Sequence, residues 1–175
     1  MIKGDVYRAM RDILFRAKAI NRDPDREYRT NYKNGDWVYG IVSRLYNEIC
    51  DLPAEMTNND GVSGIEVDHN TIGMWTGFYD KEGTKIFEDD ILMGDEYPFY
   101  DGDNKCYNYF AMVYWFEDNA AFGLMTVKNP KSKVRGISDG ISEYFEEFNP
   151  DNWLVIGNIY DNPELIERTD SDGKT

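Results

Sequence analysis

Residues Thr71–Met93, TIGMWTGFYDKEGTKIFEDDILM, constrain the fold more than any other part of the chain. Trp75 and Phe78 flank Gly77 in a segment that reads as extended. Asp80-Lys81-Glu82-Gly83 then supplies the polar, positive-φ positions that a strand reversal needs. Thr84-Lys85-Ile86-Phe87 resumes extended chain, and Glu88-Asp89-Asp90 forms an acidic step into the apolar Ile91-Leu92-Met93. Strand, tight turn, strand, acidic step and strand follow one another with no room for a helix.

This stretch resembles the signature of the YopX family, small proteins of phages, prophages and bacterial mobile elements. Thr76-Gly77 matches its TG turn, Asp80-Lys81-Glu82-Gly83 its D-x-x-G, and Glu88-Asp89-Asp90-Ile91 its E-G-D-hydrophobic step. Asp89 departs from the pattern, standing where the family usually carries glycine. Three further blocks resemble the family in the expected order. They are Arg11–Ala17 as an opening strand, Asn34–Gly40 as a second block, and Val155–Leu165 as a closing block. The resemblance spans residues 11–166, with an N-terminal section at 11–70 and the signature hairpin and barrel section at 71–166. Met1–Met10 lies upstream as an extension, with Met10 as an alternative natural start, and residues 167–175 form a flexible tail. The resemblance implies a complex β-barrel core and no established activity.

Many short strands without βαβ alternation independently indicate a mainly β fold, a β-rich α+β arrangement. The EDDILM step before a long loop and an aromatic strand suits an SH3-like barrel. Val6–Ile20 fits either period: Val6, Met10, Ile13, Leu14 and Ala17 share a helical face, whereas Ile13, Phe15 and Ala17 alternate. The resemblance favours a strand over Asp12–Lys18. Asn21–Asn34 reads as an exposed loop, Trp37–Val42 as a buried strand, and Asn58–Gly61 as a turn. Cys106–Phe116 and Phe122–Val127 read as paired strands, and Trp153–Ile159 as the closing strand. One C-terminal helix is expected over Asp139–Phe148. There Ile141, Tyr144, Phe145 and Phe148 follow the i, i+3, i+4, i+7 spacing, and Pro150 stops it.

The chain of 175 residues carries a formal net charge of −14, unevenly spread. Residues 1–50 hold 10 Lys+Arg against 7 Asp+Glu, and residues 51–175 hold 9 against 26, so the two parts carry +3 and −17. An acidic body of this kind repels phosphate, which disfavours general nucleic-acid binding. The basic run Lys128–Arg135 is the exception to that acidity. No apolar run approaches a membrane span, and the N-terminus lacks signal-peptide character, so a cytoplasmic location is expected. Cys50 and Cys106 have no close spacing and read as reduced thiols, with a disulfide as the alternative.

Candidate chemistry is sparse. His69 is the sole histidine, so any Ser-His-Asp or Cys-His unit has to run through it, and its VDHNT setting reads as a turn. One histidine and two scattered cysteines do not build a zinc site. Glu88, Asp89 and Asp90 are candidates for acid–base work or for Mg²⁺ or Ca²⁺, but successive strand residues point to opposite faces. Asp90 reads better as an acceptor of backbone hydrogen bonds. Asp101-Gly102-Asp103-Asn104 lacks calcium-loop spacing, and the aromatics of Tyr97–Phe116 lack the cations a stacking platform needs. Phosphate-binding loops and nucleophile elbows have no matching motif. No catalytic, cofactor or metal residue is therefore assigned. The expectation is a non-enzymatic accessory protein that binds itself or another protein, with an acidic DNA-mimic as the alternative and a metal-dependent enzyme third.

Overall fold

In a computed structural model the described residues are 12–21, 31–46, 53–94, 109–127, 142–144 and 150–166. Arg16 and Ala17 illustrate how the sequence sets the architecture. Strand alternation sends Ala17 into a core where it is fully buried and Arg16 to the opposite face. The strand they occupy, β1 (Phe15–Lys18), pairs antiparallel with β2 (Trp37–Arg44), which sets Arg16 beside Tyr39 and Lys18 beside Trp37. The helical alternative for this segment is thus resolved as strand over Phe15–Lys18.

The first sheet continues through β3 (Ala54–Asn58) and β4 (Ile65–Val67) on one side of β2. On the other side of β1 lie β5 (Gly73–Tyr79) and β6 (Lys85–Phe87), giving six strands in the order β4-β3-β2-β1-β5-β6. The second sheet runs β10-β9-β8-β7-β11, from β7 (Asp90–Gly94), β8 (Tyr109–Phe116), β9 (Ala121–Val127), β10 (Ser142–Tyr144) and β11 (Trp153–Asn158). The apolar side chains gather in two clusters, one within β1–β4 and one that joins β6 of the first sheet to the second sheet. Ala17, Val38, Met56, Ile65 and Val67 lie in one; Ile86, Leu92, Val113, Phe122, Leu124 and Trp153 lie in the other.

The signature hairpin forms as its residues require. Gly83 takes a φ of 83°, and Asp80 accepts hydrogen bonds from the amides of Glu82 and Thr84 at 2.9 and 2.8 Å. Gly77, at φ 93°, lies within the irregular stretch of the β5–β6 register. Asn58 holds its own turn, its side-chain oxygen accepting from the Asp60 and Val62 amides. The expected pairing of β8 with β9 is present across Glu117–Ala120, and a single 3₁₀ turn occupies Pro163–Leu165.

Two expectations are corrected. Over Asp139–Phe148 the described residues are Ser142–Tyr144, and they are strand β10, paired with Met125, Leu124 and Gly123 of β9. No helix of seven or more residues occurs among the described residues. The apolar spacing that suggests a helix records only which side chains are apolar; the free edge of β9 offers backbone partners, and tertiary pairing overrides the period. An SH3-like closed barrel is also not formed. Among the described residues a single bridge, Ala19 to Val67, brings β4 to the end of β1, and no ladder joins the edges of the second sheet. Met1–Met10, Cys50, Asp101–Asn104, Cys106, Lys128–Arg135 and the 167–175 tail lie outside the described residues.

Gly40 in β2 carries a close backbone approach: a Cβ built there collides with the carbonyl oxygen of Thr57. Backbone cannot swing aside as a side-chain tip does, so Gly40→Ala is expected to destabilise by about 1–3 kcal/mol, as overpacked sites do. Urea unfolding checks this, with a lowered midpoint at an unchanged slope as the expected result.

Candidate functional site

The described ionisable groups converge most densely where the two sheets meet, on the outer face of β1 and β2. Arg16 is only 6% exposed. Its guanidinium carbon sits 4.6 Å from the Trp37 ring centroid and 4.9 Å from that of Phe87. Cation–π attraction favours such a sandwich, most strongly where water is excluded. Arg16 Nη2 donates to the Glu88 carbonyl at 3.1 Å and lies 2.6 Å from Asp90 Oδ1 in an ion pair. That approach is off the N–H axis, and Oδ1 has no aligned hydrogen bond. Asp90 Oδ2 accepts from the Phe87 amide at 2.8 Å, the backbone-bonding role the sequence indicates. Desolvation raises Asp90 to about 6, against the opposing pull of Arg16.

The other two residues of the acidic step diverge. Asp89 takes a φ of 65°, the left-handed region that favours glycine, at the position where the family pattern has glycine. Its carboxylate faces Tyr160, whose hydroxyl lies 2.7 Å from both Asp89 Oδ2 and the Asn70 carbonyl and has one proton to donate. Desolvation, then the bond to the Asp89 carboxylate, push Tyr160 well above its ordinary range. Glu88 is half-buried and is raised by desolvation and then by the charge of Asp89. Among the described residues no group of three or more His, Cys, Asp or Glu side chains is arranged to hold a metal ion. His69 lies exposed in a 3₁₀ turn, His69–Thr71, capped by Asp68 accepting from the Asn70 amide.

The closing block supplies the partner that sequence reasoning missed. Asn158, buried at the end of β11, accepts from the amides of Tyr160 and Asp161 and donates to Asp161 Oδ2 at 3.0 Å. Asp161 then reaches the first sheet, pairing with Lys18 and accepting from Trp37 Nε1 at 2.8 Å. Partial burial alone would raise this carboxyl, but the hydrogen bonds from Lys18, Asn158 and Trp37 outweigh it and lower Asp161 to about 2. Asp80 also works at long range, accepting from the Val155 amide at 2.9 Å and so tying the hairpin to β11. Arg16 and Lys18 in a strand, and Asp161 in the NIYDN stretch, are charges at positions where alternation leaves them exposed. Nothing in the sequence links them.

A family model described as YopX protein matches residues 27–167. The crystal structure of protein EF1440 from Enterococcus faecalis is similar at 22% identity, covering 89% of this chain and 99% of that one, with a TM-score of 0.44. No curated protein matches the chain.

The buried pair sets the first expectation for this joint. Removing one partner strands a charge, so Arg16→Met or Asp90→Leu alone is expected to cost about 3–5 kcal/mol. The double variant, apolar at both positions, is expected to recover the share due to the stranded charge but not the acceptor that the Phe87 amide loses. Chemical denaturation of the three variants, read as a double-mutant cycle, checks this.

The two perturbed carboxylates act in opposite directions with pH. Asp90 at about 6, above its ordinary 3.8, keeps its proton in the folded state after the unfolded chain has released it. Its contribution therefore falls as pH rises from about 4 to 6. Asp161 at about 2 contributes above 3.8, and that contribution is lost as pH falls toward 2. In thermal melts, Asp161→Asn is expected to lose less than the parent chain between pH 4 and 2. The Arg16→Met/Asp90→Leu variant is expected to lack the Asp90 decline between pH 4 and 6.

Proposed function

Because the chain belongs to the YopX family, we propose that it is a non-enzymatic accessory protein of a phage or mobile element that works by binding another macromolecule. The observation that carries this reading is a set of large apolar side chains left in solvent. Ile13, Ile41 and Leu45 are 65, 54 and 68% exposed, and Tyr39, Phe78, Tyr79 and Tyr114 are each at least 36% exposed. Tyrosine is favoured at interfaces because it covers apolar area while keeping a polar tip. The same surface suits self-association, so a homo-oligomer is part of the reading.

Its consistency with the joint is physical. Asp80, Asp90, Asn158 and Asp161 are engaged with backbone amides or with cations of the opposite sheet. These groups hold the fold together, and binding is left to the surface. A tyrosine-rich surface of this kind is expected to give a species larger than a monomer in light scattering at high micromolar concentration. Ile41→Asp/Leu45→Asp is expected to return it to monomer, and a parent chain already monomeric there removes the oligomer from the proposal.

The alternative reading, an acidic decoy for a DNA-binding protein, rests on the −17 balance of residues 51–175. A decoy held by electrostatics weakens as salt screens it. Capture from host lysate at low and high salt separates the two. Salt-sensitive capture of a protein that otherwise binds DNA favours the decoy; salt-resistant capture lost in the Ile41→Asp/Leu45→Asp variant favours the apolar surface.

A further inference from the structure

The two apolar clusters share no residue, and a set of polar and aromatic contacts joins them. Arg16–Asp90, Lys18–Asp161, Trp37–Asp161 and the Tyr160 hydroxyl to the Asn70 carbonyl each run from the first sheet or its connecting turn to the second. Tyr39 packs on Phe87 with ring centroids 5.6 Å apart, and Trp37 meets Tyr160 edge-on at 6.0 Å. Backbone continuity across the joint is thin. Among the described residues, β5 pairs with β1 at two register positions, Phe15 with Met74 and Arg16 with Gly73, and the Trp75 amide also bonds the Leu14 carbonyl before the chain turns to β6.

Such a joint is held by opposing terms of similar size. A buried ion pair returns little net stability once desolvation is counted, and a partly exposed one returns less. Each core, by contrast, is a contiguous cluster of buried apolar side chains. Local opening is expected first where few apolar contacts resist it.

We propose that the Arg16-centred joint is a latch: the β1–β4 unit parts from the β6–β11 unit about β5 while both cores remain packed. Parting uncovers the Trp37 and Tyr39 face of β2 together with Arg16. The inference goes beyond the binding reading and stands without it, because it concerns the motion and not the partner.

Gly73 provides a way to open the latch without touching a charge. A Cβ there lies 2.9 Å from the Glu88 carbonyl oxygen, so Gly73→Ala acts as a wedge between β5 and the acidic step. Asp161→Asn loosens the joint from its other end, at a side chain 39% exposed, by removing a charge while keeping the side chain's shape. Hydrogen exchange by mass spectrometry on the full chain tests both. Peptides spanning residues 14–18 and 72–75, which include the Trp75 amide bonded to the Leu14 carbonyl, are expected to exchange about tenfold faster in each variant. Peptides from β2–β3 and β8–β9 are expected to keep the parent rates. A matching rise in those core peptides overturns the proposal, because the chain then opens as one cooperative unit. Parent rates at 14–18 and 72–75 in Asp161→Asn overturn it equally, since the joint then carries no latch.

Discussion

The placement of Asp90 depends on a balance between burial and pairing, and the junction of the two sheets depends on Asp90. Its carboxylate is 1% exposed, held by the Phe87 amide on one oxygen and the Arg16 guanidinium on the other. The first bond stops β6 and turns the chain into β7; the second fixes β7 against the outer face of β1. One side chain thereby sets both a local reversal and a contact between sheets. Neither half works alone, because Arg16 without a carboxylate leaves a buried cation. Its other polar partner is the Glu88 carbonyl.

The same economy holds at Asp80 and Asp161. Asp80 closes the hairpin through the amides of Glu82 and Thr84 with one oxygen and reaches Val155 with the other. Burial alone would raise its carboxyl, but the bonds from Val155, Thr84 and Glu82 hold it below its ordinary range. Asp161 does for the closing block what Asp90 does for the acidic step. At Asp89 the arrangement carries a cost, since a residue with a Cβ sits in the left-handed region at φ 65°. Aspartate tolerates that region better than most residues, and its bond with Tyr160 offsets the strain.

What the sequence makes legible follows from how local each cause is. The signature hairpin can be read because Asp80 and Gly83 act within a few residues of each other, and β2, β8, β9 and β11 can be read because alternation and aromatic content are local. The outer faces of β1 and β2 cannot. Arg16 and Lys18 look like solvated charges until the second sheet is laid over them, and their partners Asp90 and Asp161 lie far along the chain. β10 fails for the opposite reason: its apolar spacing is helical, and only the free edge of β9, invisible locally, makes Ser142–Tyr144 a strand.

A family pattern made of such residues identifies a fold more readily than a reaction. Thr76 donates from its buried hydroxyl to the Ile86 carbonyl and accepts from the Phe78 amide. Gly83 supplies a backbone angle, and Asp80, Asp90, Asn158 and Asp161 hold turns and sheet contacts. Replacing any of these groups disturbs the chain path before it disturbs chemistry at a surface. Exposed side chains such as Ile41 and Leu45 are under no such geometric constraint and are free to vary without moving a strand. That division explains how a motif can be strong and specific while saying little about what the surface meets.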